Sequence, residues 1–136
     1  MKYNGVIQRK FALLEEHVQE LTRYLATMDF REFESSRVAR LATERALQVC
    51  AEIVIDVAER IIAIEHAGPV SSAADALTKL QTLGVIQDAQ PYIGIVRFRN
   101  LIVHEYEEID PRLLFNLATT RLTDLLAFRD EIDRAG

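Results

Sequence analysis

A chain of 136 residues with 49% hydrophobic residues can bury a core without disulfide or metal staples. Its net charge of -5 gives no global electrostatic case for nucleic-acid binding, so any such contact needs a local basic patch. The lone Cys50 sits in an apolar run, which excludes an intrachain disulfide and fits a small buried hydrophobe in a reducing compartment.

Five glycines and three prolines are few turn-formers for this length, so the elements are few and long, and the pattern predicts an all-α protein. The opening "MKYNGVIQRKFALLEEH" lacks the apolar core of a signal peptide. No apolar run is long enough to span a bilayer. The expectation is a cytoplasmic chain with no membrane partner.

The first helix is predicted from about Gly5 to Met28, with Asn4 as N-cap. Its apolar residues Ile7, Phe11, Leu14, Val18, Leu21, Leu25 and Met28 alternate spacings of four and three, a narrow seam that suits a bundle. "DFREFESS" reads as a break with at most a short helical turn. The second helix runs from Ser35 or Ser36 to about His66, where Gly68 and Pro69 stop it. It carries one row of Leu47, Cys50, Val54, Val57, Ile61 and Ile64, and a second of Ala42, Ala46, Val49 and Ile53. Two apolar faces exceed what one neighbour needs, so the second face predicts a subunit interface and a homodimer.

The third helix is predicted over Ser72–Leu83, capped by Ser71 or Ser72 and stopped by Gly84. The fourth begins after Asp88, tolerates Pro91 in its first turn and reaches about His104. Gly94 within it costs about 1 kcal/mol relative to alanine, which close approach of another helix would explain. The fifth starts sharply, with Asp110 as N-cap and Pro111 at the first helical position. Its seam is Phe115, Ala118, Leu122, Leu125 and Ile132. Together these give a single domain over residues 1–136, an antiparallel bundle of four to five helices.

The polar residues of the fourth helix, in "VRFRNLIVHEYEEIDPRLL", raise the question of chemistry. At about 100° per residue, Arg97, Asn100 and His104 share one stripe, while Arg99 lies about 140° around from His104. Metal-free RNA cleavage needs a base for the ribose 2′-OH, an acid for the leaving 5′-oxygen and a cation for the phosphate. Histidine suits the proton steps and arginine the phosphate. One chain offers one such histidine; a two-fold dimer offers two. Equally, a histidine near a helix C-terminus can serve the dipole. Asp56 continues the second apolar row of the second helix. It either pairs with a cation or caps backbone, or it borders a site together with Arg45 and Glu52. Three scattered histidines have no metal-ligand spacing, and nothing calls for a cofactor.

"RNLIVHEY", residues 99–106, reads R-x4-H-x-Y and resembles the signature of HepT toxins of the HEPN superfamily. "ATERALQVCAEIVIDVAERII" resembles that family's long central helix, and "LQTLGVI" and "RFRNLIVHEYEEID" resemble its later blocks in order, so the likeness covers nearly the whole chain. The resemblance implies a HEPN-like fold and a metal-independent endoribonuclease toxin, cleaving RNA at the composite cleft of a homodimer. Arg99 and His104 carry over as the catalytic pair and Asn100 as a supporting residue; Arg97 and Asp56 are further supporting candidates from their helical positions alone. Tyr106 matches the residue that a MntA-type nucleotidyltransferase antitoxin modifies with AMP. A second expectation is a non-catalytic HEPN nucleotide-binding or regulatory module beside a nucleotidyltransferase, since Glu105, Glu107 and Glu108 would repel RNA.

Overall fold

The computed structural model describes residue 3, residues 5–104 and residues 109–136, with backbone only at 103 and 104. Among these residues there are seven helices and no strand: α1 (Val6–Leu25), α2 (Phe30–Ser35), α3 (Arg37–Ile64), α4 (Ala73–Thr82), α5 (Gln90–His104), α6 (Pro111–Thr120) and α7 (Leu122–Ala135). The all-α expectation holds. The helix number differs from four to five for two local reasons, at α2 and at the α6–α7 break.

In α1 the alternating seam is the buried face: Ile7, Phe11, Leu14, Val18, Leu21 and Leu25. The helix ends three residues earlier than predicted, and Met28 packs on the core from the following turn. The expected cap, Asn4, lies outside the described residues. "DFREFESS" forms α2 rather than a plain break. Asp29 accepts from Glu32 N at 2.8 Å and Glu32 reaches back to Asp29 N, a reciprocal capping box. Phe33 is fully buried and packs on Phe115 with ring centroids 5.1 Å apart.

The central element is α3, which packs against each of the other six helices. That contact set explains its two apolar faces. Ile53 and Ile55 are buried within the chain, and Ala46 and Val49 are partly covered. Neighbouring helices thus cover part of the apolar excess, while Ala42 and Ile64 of the two rows, with Val38 (74% exposed) and Leu41, stay exposed. The stop of α3 also differs from expectation. His66 itself takes the left-handed conformation (φ 53), two residues before Gly68. Its N–H donates to Ala63 O and that of Ala67 to Ile62 O, the paired bonds that close a helix C-terminus.

In α4 both ends match the sequence. Ser72 accepts from Asp75 N at 3.0 Å, and Gly84 (φ 78) makes the turn, with Val85 N donating to Leu80 O at 2.9 Å. Asp110 and Pro111 start α6 as expected, Asp110 accepting from Arg112 N. The single last helix predicted from there is instead two. Arg121 (φ -111) breaks the run, after the Thr119 and Thr120 hydroxyls bond back to the carbonyls of Phe115 and Asn116. Adjacent threonines bonding back in this way bend a helix. The break turns Leu122, Leu125, Phe128 and Ile132 of α7 into the core independently of Leu114 and Ala118 of α6.

Candidate active site on the fifth helix

The root of α5 is firmly anchored. Asp88 caps Gln90 N at 3.0 Å. Tyr92 is buried, donates to Glu131 of α7 and stacks edge-on with Phe128, with centroids 5.0 Å apart. Burial, then the hydrogen bond and charge of Glu131, push the Tyr92 hydroxyl above its usual range. Val96 and Phe98 continue the buried face. The polar residues beyond them are thus held on a fixed helical screw.

That screw sends the two arginines to different sides. Arg99 is three-quarters covered and faces α3, with Nε 3.7 Å from Glu52 Oε1. The distance is an ion pair but not a hydrogen bond. Among the described residues its Nε is buried and has no hydrogen-bond partner, a desolvated donor that carries a penalty until an acceptor reaches it. Arg97 is exposed and lines a separate pocket with residues of α6 and α7. Asn100 is also exposed. The structure therefore joins Arg99 to Glu52 and does not join Arg97 or Asn100 to that pair. His104 closes α5 as described, through its backbone only, and Tyr106 lies outside the described residues.

Beside Glu52 on α3 is an open pocket of about 470 Å³, lined by Lys10, Arg45, Glu52, Asp56 and Glu59 among others. Asp56 has its cations there: Lys10 Nζ at 2.5 Å and Arg60 Nε at 3.2 Å. Burial alone would raise the Asp56 carboxyl, but the hydrogen bonds and charges of Lys10 and Arg60 hold it below the usual carboxylate range. The pairing reading of Asp56 is the one observed. Arg45 and Glu52 both line this pocket. Lys10 was not foreseen there; it precedes the seam residue Phe11 and reaches the groove only through α1 packing on α3. Among the described residues no three His, Cys, Asp or Glu side chains gather so as to hold a metal. Likewise, no described helix is long and apolar enough to cross a membrane.

Burial pushes the Cys50 thiol up to about 12, as fits a small core residue. Arg112 lies over the Phe30 ring at 3.5 Å, and Arg129 binds Glu15 and Asp130. Among the described residues no helix approaches Gly94 closely, because a Cβ there would meet nothing within 4 Å.

A long central helix packed by all the others, with an arginine-bearing helix laid against it, makes an all-α bundle. The chain belongs to the ribonuclease HepT-like family, whose model matches residues 14–132. It is similar to a protein of Aphanizomenon flos-aquae (strain 2012/KM1/D3) named tRNA nuclease HepT, with 25% identity over 115 residues, 81% of this chain and 76% of the relative. Its fold is that of a chain in a toxin–antitoxin crystal structure with AMP-PNP, at TM-score 0.88 and 23% identity over 96% of this chain and 99% of that one. It also matches a chain in a structure of the tri-AMPylated Shewanella oneidensis HEPN toxin in complex with MNT antitoxin, at TM-score 0.87 and 24% identity over 97% and 99%.

Proposed function

We propose that this chain is a metal-independent endoribonuclease, the toxin of a cytoplasmic toxin–antitoxin pair, acting as a homodimer. Arg99 and His104 carry the chemistry. His104 takes the ribose 2′-OH proton, the oxygen attacks phosphorus, and the bond to the 5′-oxygen breaks. The partner subunit's His104 protonates that leaving oxygen. Arg99 binds the phosphate as charge builds on it. The products are a 2′,3′-cyclic phosphate and a 5′-hydroxyl. Asn100 and Arg97 contact RNA beyond the scissile bond, and Asp56 holds the α1–α3 groove through its ion pairs.

The observation that carries this reading is Arg99 itself. It is a largely covered guanidinium with an unsatisfied Nε, 3.7 Å from its counter-ion, five residues before His104 in a member of a ribonuclease family. A phosphate oxygen would supply the missing acceptor. The relative named tRNA nuclease HepT and the tri-AMPylated toxin with its MNT antitoxin support the same reading. By analogy Tyr106 is the residue that a MntA-type antitoxin modifies with AMP, placing anionic bulk beside the cations that receive RNA.

Growth of cells expressing the chain tests the pairing of roles. Wild type should inhibit growth, His104→Ala should not, and Tyr106→Phe should stay toxic when the antitoxin is co-expressed. Harmless wild type, or equal toxicity of His104→Ala, would refute the assignment. The second reading, a nucleotide-binding module, draws on Glu52 beside Arg99 and on the acidic run after His104. Tight nucleotide binding by the isolated chain, with no RNA cleaved, would select it.

A further inference from the structure

The pocket on the Arg97 side of α5 takes no part in the bond-breaking steps above, which use Arg97 only as an RNA contact. It encloses about 280 Å³ between α5, α6 and α7. Its apolar lining includes Leu47, Phe98, Leu117 and Leu125, and its polar lining is Arg97, Arg121, Gln90 and Asp124. Arg97 makes no ion pair or side-chain hydrogen bond among the described residues. Arg121 has only Asp124, at 3.4 Å and with the guanidinium 64% exposed, a pairing that contributes little. A chain of net charge -5 thus presents two guanidiniums against one carboxylate around an apolar wall.

Two features of the fold produce this pocket. The break between α6 and α7 puts Arg121 at its corner. Gly94 lies in the opposite wall, where a Cβ would project into open space. The glycine therefore serves no close packing inside the chain; its missing side chain leaves room in the pocket. An apolar wall with arginines at its edge accepts a flat aromatic body carrying negative charge, because guanidinium groups bind phosphate and stack on rings.

We infer that this pocket is a subsite for a nucleotide of single-stranded RNA flanking the cleaved bond. The inference rests on the ribonuclease reading. Its geometric support is the stripe of α5. Arg97 lies seven residues before His104, nearly in line with it on the helix and about 10 Å away along the axis. A strand entering the catalytic end along that stripe passes Asn100, which is exposed, and then reaches Arg97. Arg99, on the other side of α5, is left to the scissile phosphate. The pocket thereby extends the substrate site along one helix, with phosphate contacts giving position and the apolar wall receiving a base.

Fluorescence anisotropy with a single-stranded, fully 2′-O-methylated RNA tests this on the full-length chain, because that RNA lacks the attacking hydroxyl. Arg97→Ala should weaken binding about tenfold, the loss of one charged hydrogen bond. Adding Arg121→Ala should weaken it further and lower the salt slope by about one per arginine. Gly94→Leu, which places an apolar side chain at the pocket lining from an unobstructed Cβ and removes no charge, should weaken binding at an unchanged salt slope. Undiminished affinity in all three variants would overturn the subsite and leave the ribonuclease reading standing. A wild-type chain that neither binds this RNA nor cleaves unmodified RNA would overturn both. Loss of self-association or of antitoxin binding in these variants, with RNA binding intact, would make the pocket a protein-docking site and overturn the subsite.

Discussion

Arg97 and Arg99 are two residues apart in sequence and occupy contrasting environments. Arg99 is largely covered, faces α3 and stands 3.7 Å from Glu52 with an unsatisfied Nε. Arg97 is exposed at the edge of an apolar pocket. The contrast follows from the helical screw: two residues turn the side chain by about 200°. One α-helix can therefore hold a preorganised cation on one side and a substrate contact on the other. The cost of desolvating Arg99 is only partly offset by Glu52, and that imbalance makes it the better candidate for a group completed by substrate.

Three substitutions probe this contrast, in order of expected effect. Arg99→Ala should lower RNA cleavage by about 10²–10³-fold, the usual loss for one donor to a developing oxyanion. It should shift stability by no more than about 1 kcal/mol, since the ion pair is partly exposed. Steady-state kinetics beside thermal melting checks both halves. A large fall in stability with cleavage retained would make Arg99 a structural residue and erase the contrast.

Gly94→Ala sharpens the Arg97 side. With nothing within 4 Å of the new Cβ, the variant should be more stable by about 1 kcal/mol. Destabilisation, or a change of oligomeric state by light scattering, would mean that another copy approaches this face. The smallest effect belongs to Asp56. Its carboxyl is held low by Lys10 and Arg60, so its contribution is present above about pH 4, the unfolded value. It is lost as pH falls through the lower folded value. Asp56→Asn should therefore cost under about 1 kcal/mol at neutral pH, because the group is substantially exposed, and nothing at the acid end. Urea melts of both proteins across the acid range read this directly. A penalty that persists in strong acid would mean that packing, not charge, is its role.

Legibility in the sequence followed the range of the forces involved. The α1 seam, the Ser72 cap, the Gly84 stop and the Asp110–Pro111 start are signals carried within a few residues, and each marks an observed feature. The break at Arg121 was hidden because the apolar spacing runs through it; only the threonine pair before it marks the bend. The left-handed turn at His66 was hidden because that position usually belongs to glycine, and a glycine stood two residues on. The surplus apolar face of α3 invited a dimer, whereas covering by six neighbours accounts for part of it. The same holds at the site. Helical spacing separated Arg97 from Arg99 and placed Glu52 near a groove, but the pairing of Glu52 with Arg99 and the place of Lys10 come from tertiary packing, which no local pattern encodes. The unsatisfied Nε of Arg99 was likewise visible only once α5 lay against α3.

The central claim is that Arg99 and His104 cleave RNA through the 2′-hydroxyl without a metal. Incubating end-labelled RNA with purified chain in EDTA, and resolving the ends of the fragments, tests it most directly. Wild type should leave fragments ending in 2′,3′-cyclic phosphate, and neither His104→Ala nor 2′-O-methylated RNA should give any. Intact RNA with wild type, or the same fragments from His104→Ala, would contradict it.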